Sequence, residues 1–345
     1  MEKNQIIQIN KLTIGYGKAP KEKVIARNLE ANMQAGELIC LLGENGAGKS
    51  TLIRTLCGFQ PPLNGEVNLM NRNLFSLRGK ELSRLAAVVL TDRVVVANAT
   101  VEELVGLGRS PYTGALGTLN EQDKYIVAQS IEKCGISHKQ KSALSNLSDG
   151  ERQKAFIAKA LAQDTPVLFL DEPTAFLDLS ARVEIITLLR EIAGSSSKSI
   201  LMSTHDMDLA LQMADKIWLL LPGGPIISGS PEDLLLNNSF KKIFTNRGIE
   251  LDNRTGLFKV AHKHWTQIPV KGHGFEYVLL RRAFARQGIK VEGHYDSPIS
   301  VEINKNQENP FLLIKEKQII VAERSVDLLV KKTVEELKRS KYETK

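Results

Sequence analysis

Gly43-Glu44-Asn45-Gly46-Ala47-Gly48-Lys49-Ser50-Thr51 fits the pattern G-x-x-x-x-G-K-[ST] at every fixed position. The apolar run Glu37-Leu38-Ile39-Cys40-Leu41-Leu42 before it reads as a short buried strand, and Leu52-Ile53-Arg54-Thr55-Leu56 after it reads as a helix. Strand, loop and helix are the context that this pattern requires. Glycines let successive backbone N–H groups turn into one anion-binding concavity, and the helix N-terminus adds its positive dipole end there. Lys49 is expected to reach terminal phosphates, and the Ser50 hydroxyl to sit on Mg²⁺. A glycine-rich turn ending in Lys-Ser by chance is the alternative, and the flanking strand and helix disfavour it.

A chain of 345 residues suggests about two domains. Hydrophobic residues make up 42% and charged residues 25%, values typical of a globular protein. The longest apolar candidate, Ile217-Trp218-Leu219-Leu220-Leu221, stops at Pro222, far short of the roughly 18 residues of a membrane span. Met1-Glu2-Lys3-Asn4-Gln5 leads into alternating residues and not into a secretory apolar core, so a cytoplasmic chain is expected. Cys40, Cys57 and Cys134 lie far apart in apolar segments and read as reduced core residues. The net charge is +7, and residues 255–345 hold 17 Lys/Arg against 11 Asp/Glu, a surplus of 6. A basic surplus can meet nucleic acid or an anionic membrane, and by default it is a solvated face.

Upstream of the loop, Ile6 to Ile14 alternates in the manner of an edge strand, and Gly15-Tyr16-Gly17 breaks it. Tyr16 is either a turn residue or an aromatic face for an adenine. Lys23–Leu29, Glu66–Met70 and Ala86–Leu90 read as further strands, the last leading to Thr91-Asp92. Residues 100–165 look helical, with a capping box at Thr100-Val101-Glu102-Glu103 and a helix over Glu121–Cys134. Ser148 and Gly150 precede a helix starting near Glu151, a second terminus suited to an anion, or an ordinary N-cap. Val167-Leu168-Phe169-Leu170 reads as a buried parallel strand that delivers Asp171 and Glu172 at its carboxyl end, where open α/β sheets bind ligands. Asp171 suits Mg²⁺ and Glu172 suits a general base for water. Asp178 follows in a turn before a helix over Ser180–Ile192. Ser199-Ile200-Leu201-Met202-Ser203 is a strand leading through Thr204 to His205, and Lys216–Leu221 with Pro225–Gly229 is a hairpin.

Six of these features stand in an order that resembles the ATPase subunit of an ATP-binding-cassette transporter. They are Tyr16, the loop 43–51, Leu147-Ser148-Asp149-Gly150-Glu151-Arg152-Gln153, the pair Asp171-Glu172, the turn at Asp178, and His205. The resemblance covers residues 1–250. It implies a P-loop α/β cassette with a mixed sheet core and a helical subdomain over about residues 92–165. It also implies a head-to-tail dimer, here of two identical chains. ATP would lie between the loop 43–51 of one copy (Gly43, Glu44, Asn45, Gly46, Ala47, Gly48, Lys49, Ser50, Thr51) and Ser148 and Gly150 of the other. Ser50 and Asp171 would hold Mg²⁺, Glu172 would polarise water, His205 would contact the γ-phosphate, and Asp178 would lie in the turn beside the nucleotide. One departure stands out: where the family has a Gln touching Mg²⁺ and water, this chain has Thr91, followed by Asp92, and the Thr91 hydroxyl would take that place by reaching Mg²⁺ through a water.

Thr100-Val101-Glu102-Glu103-Leu104-Val105-Gly106-Leu107-Gly108-Arg109-Ser110-Pro111-Tyr112 further resembles the corresponding stretch of importers of iron-siderophores, haem and vitamin B12. That resemblance implies an integral membrane permease as partner, a substrate-binding protein acting indirectly, and a peripheral location on the cytoplasmic face of the membrane. The runner-up is a soluble cassette ATPase acting on nucleic acid or ribosomes through the basic C-terminal region. The single uninterrupted cassette and the stretch 100–112 count against it, so no direct nucleic-acid contact is expected.

Residues 255–345 read as a small α+β accessory domain beyond the family pattern. A turn is expected over 251–257, and strands over 257–262, 289–292, 299–303, 311–315 and 318–322. A first helix is expected over 273–287 with Phe275, Val278, Leu279 and Ala283 on its apolar face. A second is expected over 325–340, capped by Ser325. His262, His264, His273 and His294 show no ligand spacing and read as exposed loop histidines, and the domain reads as regulatory or dimer-contacting.

Overall fold

The computed structural model describes residues 5–17, 20–91, 99–114, 117–196, 198–243, 249–252, 257–293, 297–305 and 307–343. Asp92 and His294 lie outside the described residues. The chain divides into two compact units, the first Met1–Thr245 with Thr255–Leu257, the second Asn246–Arg254 with Phe258–Lys345.

The first unit opens with β1 (Gln5–Tyr16), β2 (Lys23–Gln34), β3 (Leu38–Gly43), α1 (Lys49–Leu56), β4 (Asn64–Leu69), β5 (Arg72–Asn73), α2 (Gly79–Ser83) and β6 (Ala86–Val89). The helices α3 (Val101–Gly106), α4 (Glu121–Lys133) and α5 (Asp149–Ala162) follow. The unit closes with β7 (Val167–Leu170), α6 (Leu179–Ser196), β8 (Ser199–Ser203), α7 (Met207–Met213), β9 (Lys216–Leu220), β10 (Ile226–Gly229) and α8 (Pro231–Leu236). One sheet is antiparallel, in the order β2-β1-β4-β5. The other runs β10-β9-β3-β8-β7-β6, parallel except for the edge hairpin partner β10.

β1 is therefore an interior strand and not the edge strand that its alternation suggested. Alternation records that one face of a strand is buried, and it carries no information on how many neighbours the strand has. The parallel strands behave as continuous apolar runs should. Leu38, Ile39, Cys40 and Leu41 of β3 and all four residues of β7 are 1% exposed or less. Leu52, Ile53 and Leu56 of α1 enter one core with Ile9, Leu12 and Ile14 of β1 and Phe169 and Trp218 of the parallel sheet. Each such side chain contributes roughly 1.5–3 kcal/mol. That packing fixes α1 against the carboxyl end of β3.

The helices α3, α4 and α5 pack on one another. Thr100 caps α3 and Asn120 caps α4, each with a reciprocal capping box through Glu103 and Asp123. Asp123 also pairs with Arg109 at 2.9 Å, both side chains being 6% exposed, and Arg109 donates to the Ala162 carbonyl at the end of α5. The Tyr112 ring lies 4.0 Å from the Arg109 guanidinium and 5.1 Å from that of Arg84. All three cysteines are buried and free, and burial pushes the Cys40 thiol up to about 12 with Asp215 adding to the shift.

The second unit holds the pair β11 (Ile249–Asp252) and β12 (Leu257–Val260), then β13 (Thr266–Lys271), α9 (Phe275–Arg286), β14 (Ile289–Glu292), β15 (Ile299–Ile303), β16 (Phe311–Lys315), β17 (Gln318–Glu323) and α10 (Val326–Glu343). The five-stranded sheet runs β14-β13-β15-β16-β17. β13 is a central strand absent from the sequence reading, because Pro269 normally argues against one. Its register shows how the proline is accommodated. Thr266 to Pro269 pair with β14, and Val270 and Lys271 pair with β15, so the partner changes beside the residue that lacks an N–H. The expected apolar face of α9 is also corrected. Leu280, Ala283 and Phe284 enter the core, whereas Phe275 is 70% exposed. In α10, Leu329 and Val330 are buried with Val326, Val334 and Leu337 packed beside them, and Ser325 accepts from the Leu328 amide. The described histidines 262, 264 and 273 are exposed.

Candidate active site at the carboxyl ends of three parallel strands

The turn from β3 into α1 is specified by its glycines. Gly48 has φ 106°, and a Cβ there would come within 2.6 Å of Ile25 Cγ2. Gly46 has φ 80°. Lys49 opens α1 with only 6% of its surface exposed, and its Nζ donates to the carbonyls of Gly43 at 3.0 Å and Glu44 at 3.3 Å. Burial lowers the Lys49 pKa, and the nearby Glu172 and Asp171 carboxylates oppose that shift. Ala47 is buried, while Asn45, Gly46 and Ser50 face solvent. The Tyr16 hydroxyl lies 2.8 Å from Thr51 Oγ1, which ties the end of β1 to the first turn of α1 and leaves the residue 44% exposed.

β7 and β8 are hydrogen-bonded neighbours, and β3 pairs with β8 on its other side. Their carboxyl ends bring the acids and the histidine together. Asp171 is 6% exposed, and its amide donates to the Val89 carbonyl at 2.8 Å. Glu172 has φ 51°, a left-handed backbone that a non-glycine residue adopts at a cost of order 1–3 kcal/mol and that clusters at functional sites. His205 Nε2 lies 2.6 Å from Glu172 Oε1. Thr91 Oγ1 donates to the Asp171 carbonyl at 2.6 Å. Sequence reasoning did not single out Ser203. Its Oγ accepts from the Glu172 amide at 2.9 Å and donates to Asp171 Oδ1 at 2.7 Å. The one signal available was a serine ending an apolar strand two residues before His205.

Ser148 and Gly150 stand at the N-terminus of α5. Ser148 Oγ accepts from the Glu151 amide at 3.2 Å, and the Glu151 carboxylate accepts from the Ser148 amide at 2.9 Å. That amide, with Lys139 adding to it, holds the Glu151 carboxyl below the usual carboxylate range. Asp178 Oδ1 accepts from the Ala181 amide at 2.8 Å and so caps α6. The structure thus gathers Lys49, Asp171, Glu172, His205 and Thr91 into one cluster, and gives Ser148 and Asp178 capping partners on their own helices.

A cradle of backbone amides with a buried ammonium binds polyphosphate, and a carboxylate–imidazole pair beside it can orient and deprotonate a water. Among the described residues no three His, Cys, Asp or Glu side chains form a metal group. The donors present, the Ser50 hydroxyl and the Asp171 carboxylate, are hard oxygens. They fit Mg²⁺, which takes one or two protein oxygens and completes its shell with phosphate and water. No described helix is long and apolar enough to cross a membrane.

Residues 26–175 match the ABC transporter family. The chain is 36% identical over 257 residues to the ABC transporter ATP-binding protein MJ0873 of Methanocaldococcus jannaschii, covering 74% of this chain and 87% of that one. It is 31% identical to the ferric enterobactin transport ATP-binding protein FepC of Escherichia coli, covering 70% and 88%. Among solved structures, cbiO1 of Clostridium perfringens, part of the ABC transporter complex cbiONQ, superposes with a TM-score of 0.60 at 26% identity over 71% of this chain and 96% of that one. The cluster at the strand ends, the phosphate loop and these similarities agree: the chain belongs to the ATP-binding-cassette transporter ATPases.

Proposed function

We propose that the chain is the ATP-hydrolysing subunit of a membrane importer whose cargo is an iron-siderophore, haem or cobalamin. The observation that carries the enzymatic part is the convergence of Lys49, Asp171, Glu172 and His205 at the ends of β3, β7 and β8. The importer part is supported by the likeness to an enterobactin transport protein and by the stretch 100–112. Residues 1–250 are the cassette, and residues 255–345 are an accessory α+β domain with a regulatory or dimer-contacting role.

In this reading the backbone of 44–50 and Lys49 hold the β- and γ-phosphates, and the exposed ring of Tyr16 stacks on the adenine. Ser50 and Asp171 hold Mg²⁺, which when bound neutralises charge on the phosphates; phosphoryl transfer depends chiefly on such positioning and charge neutralisation. Glu172 accepts the proton of the attacking water, and His205 holds the Glu172 carboxylate and contacts the γ-phosphate. Ser148 and Gly150 complete the site from a second copy arranged head to tail, with Asp178 in the turn between. An integral permease anchors the pair at the cytoplasmic face of the membrane, and a substrate-binding protein delivers cargo to that permease.

The test is co-purification of the tagged chain from gently solubilised membranes, followed by uptake in vesicles holding the recovered complex. A polytopic permease and ATP-driven uptake of a ferric chelate, haem or corrinoid are expected. Recovery with ribosomes or nucleic acid and without a permease would overturn the importer reading.

A further inference from the structure

Two hydroxyls outside the phosphate loop hold the turn that carries both acids. Ser203 ends β8 and is fully buried. A serine hydroxyl has one proton to give. That of Ser203 goes to Asp171 Oδ1, while its oxygen receives the Glu172 amide. One side chain therefore fixes the carboxylate of one acid and the backbone of the next. On the other side of β7, Thr91 follows β6 and spends its proton on the Asp171 carbonyl at 2.6 Å. Asp171 and Glu172 are thus gripped from both neighbouring strands.

The grip falls where the backbone has reason to relax. Glu172 stands at φ 51°, and without the hydrogen bond that its N–H donates to Ser203 Oγ the turn can return to a more common conformation. Such a return would turn the Glu172 side chain away from His205, to which it is now bonded at 2.6 Å. Ser203 and His205 are two residues apart, so one strand end holds both the amide and the carboxylate of Glu172.

We propose that Ser203 is a positioning residue for ATP hydrolysis, fixing the Asp171 carboxylate and the left-handed turn at Glu172, and that Thr91 supports the same turn through the Asp171 carbonyl. This rests on the reading of Asp171 as the Mg²⁺ ligand and Glu172 as the base. It also gives Thr91 a role at this turn: its proton is committed to the Asp171 carbonyl, while its oxygen lone pairs stay available.

The test compares Ser203→Ala, Ser203→Thr and Thr91→Val with Glu172→Gln in the full chain. Three quantities are read: kcat and KM for ATP, the Mg²⁺ concentration for half-maximal turnover, and ATP affinity by calorimetry with Mg²⁺ or with EDTA. Ser203→Ala is expected to lower kcat roughly 10- to 100-fold, the loss that goes with a hydrogen bond to a charged group. It is also expected to raise the Mg²⁺ requirement several-fold and to leave affinity in EDTA within about twofold of wild type. Ser203→Thr restores most of the loss, and Thr91→Val shows a smaller one without a comparable change in Mg²⁺ requirement. Should Ser203→Ala not fold, Ser203→Cys, close in size and a weak donor, is read instead with the same expectation. Wild-type kcat and Mg²⁺ dependence in the Ser203 variant, beside an inactive Glu172→Gln, would overturn the positioning role and leave the site reading intact. An active Glu172→Gln would overturn both.

Discussion

Two strand–turn–helix passages in this molecule look alike on paper. β3 turns through residues 43–48, three of them glycines (Gly43, Gly46 and Gly48), into α1, and β13 turns through Gly272-His273-Gly274 into α9. In both, glycines adopt positive φ: 80° and 106° at Gly46 and Gly48, 144° and 88° at Gly272 and Gly274. The difference lies in what the neighbouring strands deliver. Beside α1 the ends of β7 and β8 present Asp171, Glu172 and His205 to a buried Lys49. Beside α9 the first turn carries Glu276, which is closed by an ion pair to Lys305 at 2.6 Å. A glycine turn and a helix terminus supply an anion cradle in general, and the adjacent strand ends decide whether any chemistry follows.

The comparison breaks most visibly at Lys49. Lys49→Ala is expected to weaken ATP binding by roughly 100-fold or more, because a partly desolvated ammonium makes strong charge-assisted bonds. Titration calorimetry checks this, and affinity within a few-fold of wild type would remove Lys49 from the phosphate site.

Ion pairs separate the two units in the same way. Arg109 and Asp123 are buried, whereas Glu276 and Lys305 are 34% and 49% exposed. Asp123→Ala leaves a buried guanidinium unpaired and is expected to cost about 3–5 kcal/mol. The side chain of Arg109 is the first cause that holds the Asp123 carboxyl below its usual range. Trp218 in the first unit and Trp265 in the second are the two tryptophans, so denaturation followed through Trp218 in a Trp265→Phe background reports the first unit. An unchanged midpoint would contradict the buried-pair account.

At α5 the expected effect is smaller and depends on pH. The Glu151 carboxyl is lowered in the folded chain, so its contribution is present above the unfolded value of about 4.3 and is lost as pH falls through the lowered value. The melting-temperature gap between wild type and Glu151→Gln is expected at pH 7 and is expected to close in the acid range. A gap of equal size at pH 3 would show that the cap does not depend on the charge.

Glu276→Gln sharpens the contrast from the other side. ATP turnover is expected to stay within about twofold of wild type, since this carboxylate is already engaged by Lys305 within its own unit. A large loss of turnover would place α9 in the reaction and undo the distinction between the two turns.

Much of the first turn was legible in the sequence because its parts are contiguous. The spacing of Gly43, Gly48, Lys49 and Ser50 lies within one loop, and the apolar runs before Asp171 and His205 announce strands with polar carboxyl ends. Ser203 was not legible. Its role appears only when β8 lies against β7, which brings it to residues 31 and 32 positions away. Pro269 hid β13, because a strand that changes partner at a proline has no local signature. The face of α9 was misjudged through Phe275, a large apolar residue that the helix start leaves in solvent.

The central claim is that Glu172, held by His205 and at the end of a buried strand, is the base in ATP hydrolysis. Steady-state ATP turnover of Glu172→Gln against wild type, with nucleotide binding measured on the same samples, tests it most directly. Turnover is expected to fall by at least about 100-fold, the scale of general-base catalysis, with ATP binding retained. A Glu172→Gln chain that hydrolyses ATP at the wild-type rate would contradict the account.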